Sequence, residues 1–248
     1  MSQSEFAKPE RLCMSERLTQ PYSLFSYSQS FYSYWLSFCD TINKTIEASP
    51  SFSEQEGIIM AKIKIGAKTF LYPMPTVLVG ATVRGKPNYA AVAYCGIMNH
   101  DPAIISVALN KTHHTNAGIK EHRCFSVNIP SAKLMPATDY CGLFSGLRVD
   151  KSKVFKTFYA TLKKAPLIEE CALNIECELI QTLQFSVDEV FIGKIVQCYS
   201  EKKYLTKGLP DIKKIDPIVF SMHDYNYWAV GRHLGRAWSS GEKFKPKK

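Results

Sequence analysis

Three short segments carry the residue types that could hold an anionic, ring-bearing small molecule. The first is "LNKTHHTNAGIKEHR". A strand is expected to end near Asn110, and a helix to begin with Thr115 as its N-cap. Backbone N–H groups at a helix start attract anions, and the helix dipole favours negative charge there. Lys111, Thr112 and Thr115 would add one charge and two hydroxyl donors, a set that matches a phosphate monoester. Taken alone, a polar loop with a routine cap accounts for this segment better, and His113 and His114 read as loop residues.

The second segment is "NYAAVAYCGI". Small residues in a strand let a planar ligand lie close to the backbone, and Ala90, Ala91 and Ala93 provide that room. Asn88 could supply an amide contact and Tyr94 an aromatic edge; a tightly packed barrel wall is the plainer account. The third is "FSGLRVDKSKVF", a glycine turn carrying Arg148, Asp150 and Lys151. Lys151 could set a positive charge beside an anionic ligand, or the loop could be simply solvated.

Other chemistries find no support. There is no GxSxG elbow, no P-loop and no GxGxxG. "GRHLGRAW" has two glycines and two arginines without the strand-to-helix setting of a dinucleotide fingerprint. Eight cysteines are scattered through apolar segments with no CxxC pair, so free buried thiols are expected rather than disulfides. Six histidines show no ligand spacing, so no metal site is expected.

The elements needed to position these residues are mostly β. "TFLYPMPTVLVGATV" reads as an entry segment and strand broken at its start by Pro73 and Pro75, "RGKPN" as a turn, and "YAAVAYCGI" as the returning strand. "AIISVAL" and "CFSVNIP" read as further strands around a short helix from Thr115 to Arg123, and "KLMPATDYCGLFSG" as helical to about Gly142. "ALNIECELIQTLQF" and "EVFIGKIVQCYSEKKYL" alternate in polarity as a long hairpin does, and "DPIVFSMHDYNYWAV" closes the β part. Many antiparallel strands with few helices point to a mainly β fold closed into a barrel, which hides strand edges.

Charge divides the chain. Residues 1–59 hold four Lys/Arg against seven Asp/Glu, and residues 60–248 hold 27 against 15. The leader's "QPYSLFSYSQSFYSYWLSF" alternates serine with aromatics and lacks the aliphatic residues of a core, so a tail of low order is expected. Gln55-Glu56-Gly57 can be encoded by a purine tract of the kind that precedes bacterial start codons, and natural translation is expected to begin at Met60. No apolar run reaches the roughly 18–20 residues of a bilayer span, and no basic patch precedes an apolar core as in a secretory signal. A cytoplasmic protein without membrane partners is the expectation.

In order and spacing, "KIGAKTFLYPMPTVLVGA", "GKPN…A…CGI…DPAIISVAL", "HTNAGIKEHRCFSVNIPS", "DYCGLFSGLRVDK" and "YWAVGRHLGRAW" together resemble the flavin reductase-like family, in particular its flavoredoxin-type FMN-binding split barrels. The resemblance spans nearly all of 60–248. It implies a Greek-key-like, six-stranded split barrel that forms a homodimer with FMN near the interface. It also implies that Asn88 and the strand Ala91, Val92, Ala93, Tyr94, Cys95 and Gly96 line the flavin ring. Lys111, Thr112 and Thr115, with Asn110 before them, match the phosphate loop. Asn128 falls in the "VN" strand, and Ser145, Gly146 and Lys151 in the "SG…DK" loop. Relatives often carry tryptophan in place of Tyr94, and arginine in place of Asn110 or Lys111.

Two functions of different class are compatible with these features. One is an FMN-dependent oxidoreductase, either an NAD(P)H:flavin reductase or a flavoredoxin-type electron carrier, with NAD(P)H or a redox protein as partner and no catalytic side chain. The other is a non-enzymatic basic β-barrel that binds RNA or an acidic protein. The second needs aromatics interleaved with lysines on one barrel face, and residues 60–248 show no such alternation, so nucleic acid is not an expected partner.

Overall fold

Strand β2 (Val77–Val83, VLVGATV) is apolar along almost its whole length, and all seven residues are buried. A strand reads this way when both of its faces are covered. Alternate residues separate into two layers. Val77, Val79 and Ala81 join Ala90, Val92, Val107, Phe125 and Phe191 in one core, while Leu78 joins Tyr89, Phe155 and Ile168 in another. The first core fills the inside of a barrel, and the second lies between its outer wall and the covering segments.

The computed structural model describes residues 62–246. The leader expected at 1–59 and the expected start at Met60 lie outside them. The body that carries the barrel runs from Ile65 onward.

Besides β2, the main sheet contains β3 (Lys86–Val92), β4 (Cys95–Asn99), β5 (Ile104–Asn110), β6 (Cys124–Ile129), β9 (Leu173–Gln184) and β10 (Asp188–Ser200). Their order is β3-β2-β6-β9-β10-β5-β4, every neighbouring pair antiparallel. The two strands at the ends of this order, β3 and β4, are joined by Ala93 and Tyr94 alone. The chain itself thus carries the sheet around on itself. Counting β3 and β4 as one bent strand gives the expected six. Among the described residues β3 has no ladder partner beyond β2, so its other edge lines the split.

The β2–β3 turn is tighter than "RGKPN" suggests. Arg84 and Gly85 both have positive φ, 50° and 76°, the requirement of a two-residue type I′ hairpin. Lys86, Pro87 and Asn88 therefore belong to β3. Pro87 is tolerated because β3 is an edge strand.

Helix α1 (Thr115–His122) lies against β2, where any Cβ on Gly118 would overlap the Thr82 carbonyl. Its cap is His114, not Thr115, and His114 makes no side-chain cap bond. The Thr115 hydroxyl is drawn instead to Asn88. Helix α2 (Met135–Leu143) covers the outer face near Ala91. A small sheet adds β1 (Met74–Pro75), β13 (Ile218–Ser221) and β14 (Asn226–Ala229), tied to α2 by Tyr227 Oη donating to Asp139 at 3.0 Å. Two short ladders pair β7 (Thr157–Phe158) with β8 (Leu167–Ile168) and β11 (Leu205–Thr206) with β12 (Leu209–Pro210).

Candidate functional site

The β2–β3 turn, the first half of β3, the start of α1 and the loop 146–151 enclose a cleft of about 290 Å³. Its basic residues are Arg84, Lys86, Arg148 and Lys151, against the single carboxylate of Asp150. Asp150 accepts from Lys86 Nζ at 2.7 Å, and this pairing, with its bonds from Ser152, holds its carboxyl well below the usual range. Arg84 and Arg148 make no ion pair among the described residues.

Lys151 is the unusual member. Asp150 caps the short 3₁₀ turn Lys151–Lys153 by accepting from Ser152 N at 3.0 Å, and Lys151 is 4% exposed. Its Nζ donates to the carbonyls of Tyr89 at 2.9 Å and Cys141 at 2.7 Å. Burial holds its pKa below the usual lysine range. A buried cation held only by carbonyl dipoles is costly, and an anion brought beside it would offset that cost.

Asn88 forms the cleft floor. Its Nδ2 donates to Thr115 Oγ1 at 2.8 Å, both groups buried. Gly146 passes so close that any Cβ there would overlap Asn88 Oδ1 and press on the His114 ring. His114 lines the wall. Burial, then the charges of Arg84 and Lys151, hold its pKa below the usual histidine value, so the ring is neutral at pH 7. His113 is shifted the same way, by burial and then Lys151, and its Nδ1 is buried without a hydrogen-bond partner among the described residues.

The expected site residues divide into groups. Asn88, Gly146 and Lys151 come together in the cleft, with Thr115 directly behind Asn88. Ser145 is exposed and shapes the loop, its Oγ accepting from Leu147 N at 3.3 Å. Further along β3, Val92 is 5% exposed and belongs to the barrel core, while Ala91 packs outside with the α2 layer. Ala93 and Tyr94 make the bend into β4, both half-buried. Cys95 packs against the barrel core, and burial pushes its thiol up to about 12, so it stays protonated. Gly96 faces open space.

Four further residues stand apart. Asn110 Oδ1 accepts from both the N–H and the hydroxyl of Thr112, at 3.0 and 2.8 Å. Lys111 donates its backbone N–H to Val187, and both Lys111 and Thr112 are exposed outside the cleft lining. Asn128 is 0% exposed in β6. Its Nδ2 donates to Leu78 O at 3.0 Å and Ser126 Oγ at 2.9 Å. Its Oδ1 accepts from Ile168 N at 3.1 Å and Asn174 Nδ2 at 2.8 Å. Sequence reasoning does not single out Arg84, Lys86 or His114 as site residues. The available signal is the pair of basic residues flanking the "RGK" turn.

Residues 69–228 match the family described as "Flavin reductase like domain". The chain belongs to the flavin reductase-like family. It is 48% identical in sequence to flavoredoxin from Methanosarcina acetivorans, with a TM-score of 0.72, covering 73% of this chain and 97% of that one. Flavoredoxin of Desulfovibrio vulgaris (Miyazaki F) is 36% identical, with a TM-score of 0.68, over 73% of this chain and 100% of that one. An uncharacterized protein of Archaeoglobus fulgidus is 28% identical over 179 residues, which is 71% of this chain and 94% of that protein. The fold is the split barrel of this family. Among the described residues no helix is long and apolar enough to cross a membrane, and no group of three or more His, Cys, Asp and Glu residues could hold a metal ion.

Proposed function

We propose that this chain is an FMN-binding oxidoreductase of flavoredoxin or NAD(P)H:flavin reductase type, acting as a homodimer in the cytoplasm. FMN is the cofactor, and when bound it supplies hydride or single-electron transfer. The observation that carries the reading is the cleft itself, in a chain whose family is built around flavin chemistry. One end of β3 meets several cations, one of them the buried Lys151, and the other end is a bend of small and half-buried residues.

These features fit the two ends of FMN. Arg84, Arg148 and Lys151 receive the phosphate electrostatically, and Asn88 offers an amide near the ribityl chain. The stretch from Ala91 to Gly96, running from the end of β3 through the bend into β4, gives the ring small neighbours and backbone polar groups. Val92 contributes through its backbone only, since its side chain faces the core. Thr115 orients Asn88, Ser145 shapes the loop, and Asn128 braces the wall behind. Lys111 and Thr112, with Asn110 beneath them, meet the phosphate side or the partner from outside the cleft. NAD(P)H or a redox protein is the electron partner.

An absorbance spectrum of the purified protein, followed by anaerobic titration with NADH and NADPH, tests this directly. The expected outcome is a yellow protein whose flavin band bleaches on reduction. A colourless protein that FMN cannot reconstitute would overturn it.

A further inference from the structure

His114 does not belong to the expected phosphate set, and its ring makes no hydrogen bond among the described residues. It occupies the cap position of α1 with its ring in the cleft wall, packed on Gly146. Everything charged around it is basic except one group. The β2–β3 turn contributes Arg84 and Lys86, and the 146–151 loop contributes Arg148, Lys151 and Asp150, the last already paired with Lys86. On its own loop, His113 and Lys111 are the neighbouring titratable groups.

We propose that His114 is a proton-linked phosphate contact: its ring gains a proton as a phosphomonoester enters the cleft, so that flavin affinity rises as pH falls. The inference rests on the flavin reading above. In the empty cleft an imidazolium would add a further positive charge to Arg84, Arg148 and Lys151, with only the Lys86-paired carboxylate opposing them. Burial, then the charges of Arg84 and Lys151, hold the ring neutral there. A phosphate dianion reverses the balance, because an opposite charge nearby favours the charged form. The sign follows from linkage. The liganded state holds a proton that the free state has released, so binding strengthens with falling pH between the two pKa values and levels off outside them. Within that window the gain is up to about tenfold in affinity per pH unit.

The phosphate has its own titration near pH ~6, and a cationic cleft favours its dianion, so the readout is a difference between proteins. FMN is titrated calorimetrically into the flavin-free full chain, in buffers of differing ionisation enthalpy, for the parent and for His114→Gln. Riboflavin, which lacks the phosphate, is the second probe. The expected result is that the parent takes up more protons per FMN than the variant, by a difference approaching about one near the histidine range, and that riboflavin elicits no such difference. Equal proton counts in the two proteins would overturn the proposal, and so would a difference that riboflavin reproduces. Should His114→Gln not fold, NMR titration of the His114 ring in the parent decides: its pKa must rise on saturation with FMN, and an unchanged value overturns the proposal. Absence of FMN binding at every pH would instead sink the flavin reading itself.

Discussion

Asn88 and Asn128 are both buried asparagines on strands of one barrel, and their surroundings differ in a way that separates support from recognition. Asn128 spends its whole amide on protein groups, two donors and a doubly accepting oxygen, binding β2, β6, β8 and β9 together. Nearby Glu176, also 0% exposed, is equally committed: it accepts from Thr161 N, Leu162 N and Tyr199 Oη. Around Asn88 the polar groups are incompletely matched. Among the described residues Arg84 and Arg148 lack carboxylate partners, and Lys151 is buried against carbonyls alone. A network closed within the protein stabilises the fold, whereas one left with surplus charge is arranged for a ligand.

The contrast can be broken by substitution. The largest expected effect is from Asn128→Ala, which leaves the Leu78 carbonyl, Ile168 N–H and Asn174 amide short of partners. A loss of roughly 3 kcal/mol in unfolding free energy is expected by denaturant titration, with flavin affinity of the folded fraction unchanged. A loss of flavin affinity without loss of stability would dissolve the distinction. Lys151→Met should do the reverse. Stability changes little, because removing a buried, unpaired cation offsets the loss of two carbonyl contacts. FMN affinity falls by about tenfold, roughly 1.4 kcal/mol, measured by fluorescence titration. The smallest effect belongs to Lys111→Ala. Its side chain is exposed and outside the cleft lining, so FMN affinity should change by less than about threefold, within roughly 0.6 kcal/mol. A larger loss would return the phosphate to the loop before α1.

Much of the fold is legible in the sequence because hydrophobic pattern carries it. The apolar run of β2, the alternation in β9 and β10, and Gly and Pro at the turns all predict the elements that form, and strand count with few helices predicts closure. The helix start is legible only to within a residue. Thr115 has the right chemistry for a cap, but a nearby buried amide competes for its hydroxyl.

The site is partly legible. Asn88, Gly146 and Lys151, drawn from segments distant in sequence, do converge. Lys111 and Thr112, the most suggestive residues in sequence, end up exposed beside the β9–β10 hairpin. Which way a loop side chain turns is decided by tertiary contacts that local spacing does not encode. Arg84 is hidden for a related reason: a two-residue turn tight enough to carry it to the cleft rim needs positive φ at an arginine, which is uncommon.

In the proposed reading, the cleft beside β3 receives the phosphate end of FMN. The most direct test compares FMN with riboflavin as ligands for the parent and for an Arg84→Ala/Arg148→Ala double variant, by equilibrium titration at fixed ionic strength. The predicted result is FMN binding by the parent, weakened about tenfold or more in the double variant, with riboflavin affinity unchanged between the two. FMN held equally tightly by both proteins would contradict it.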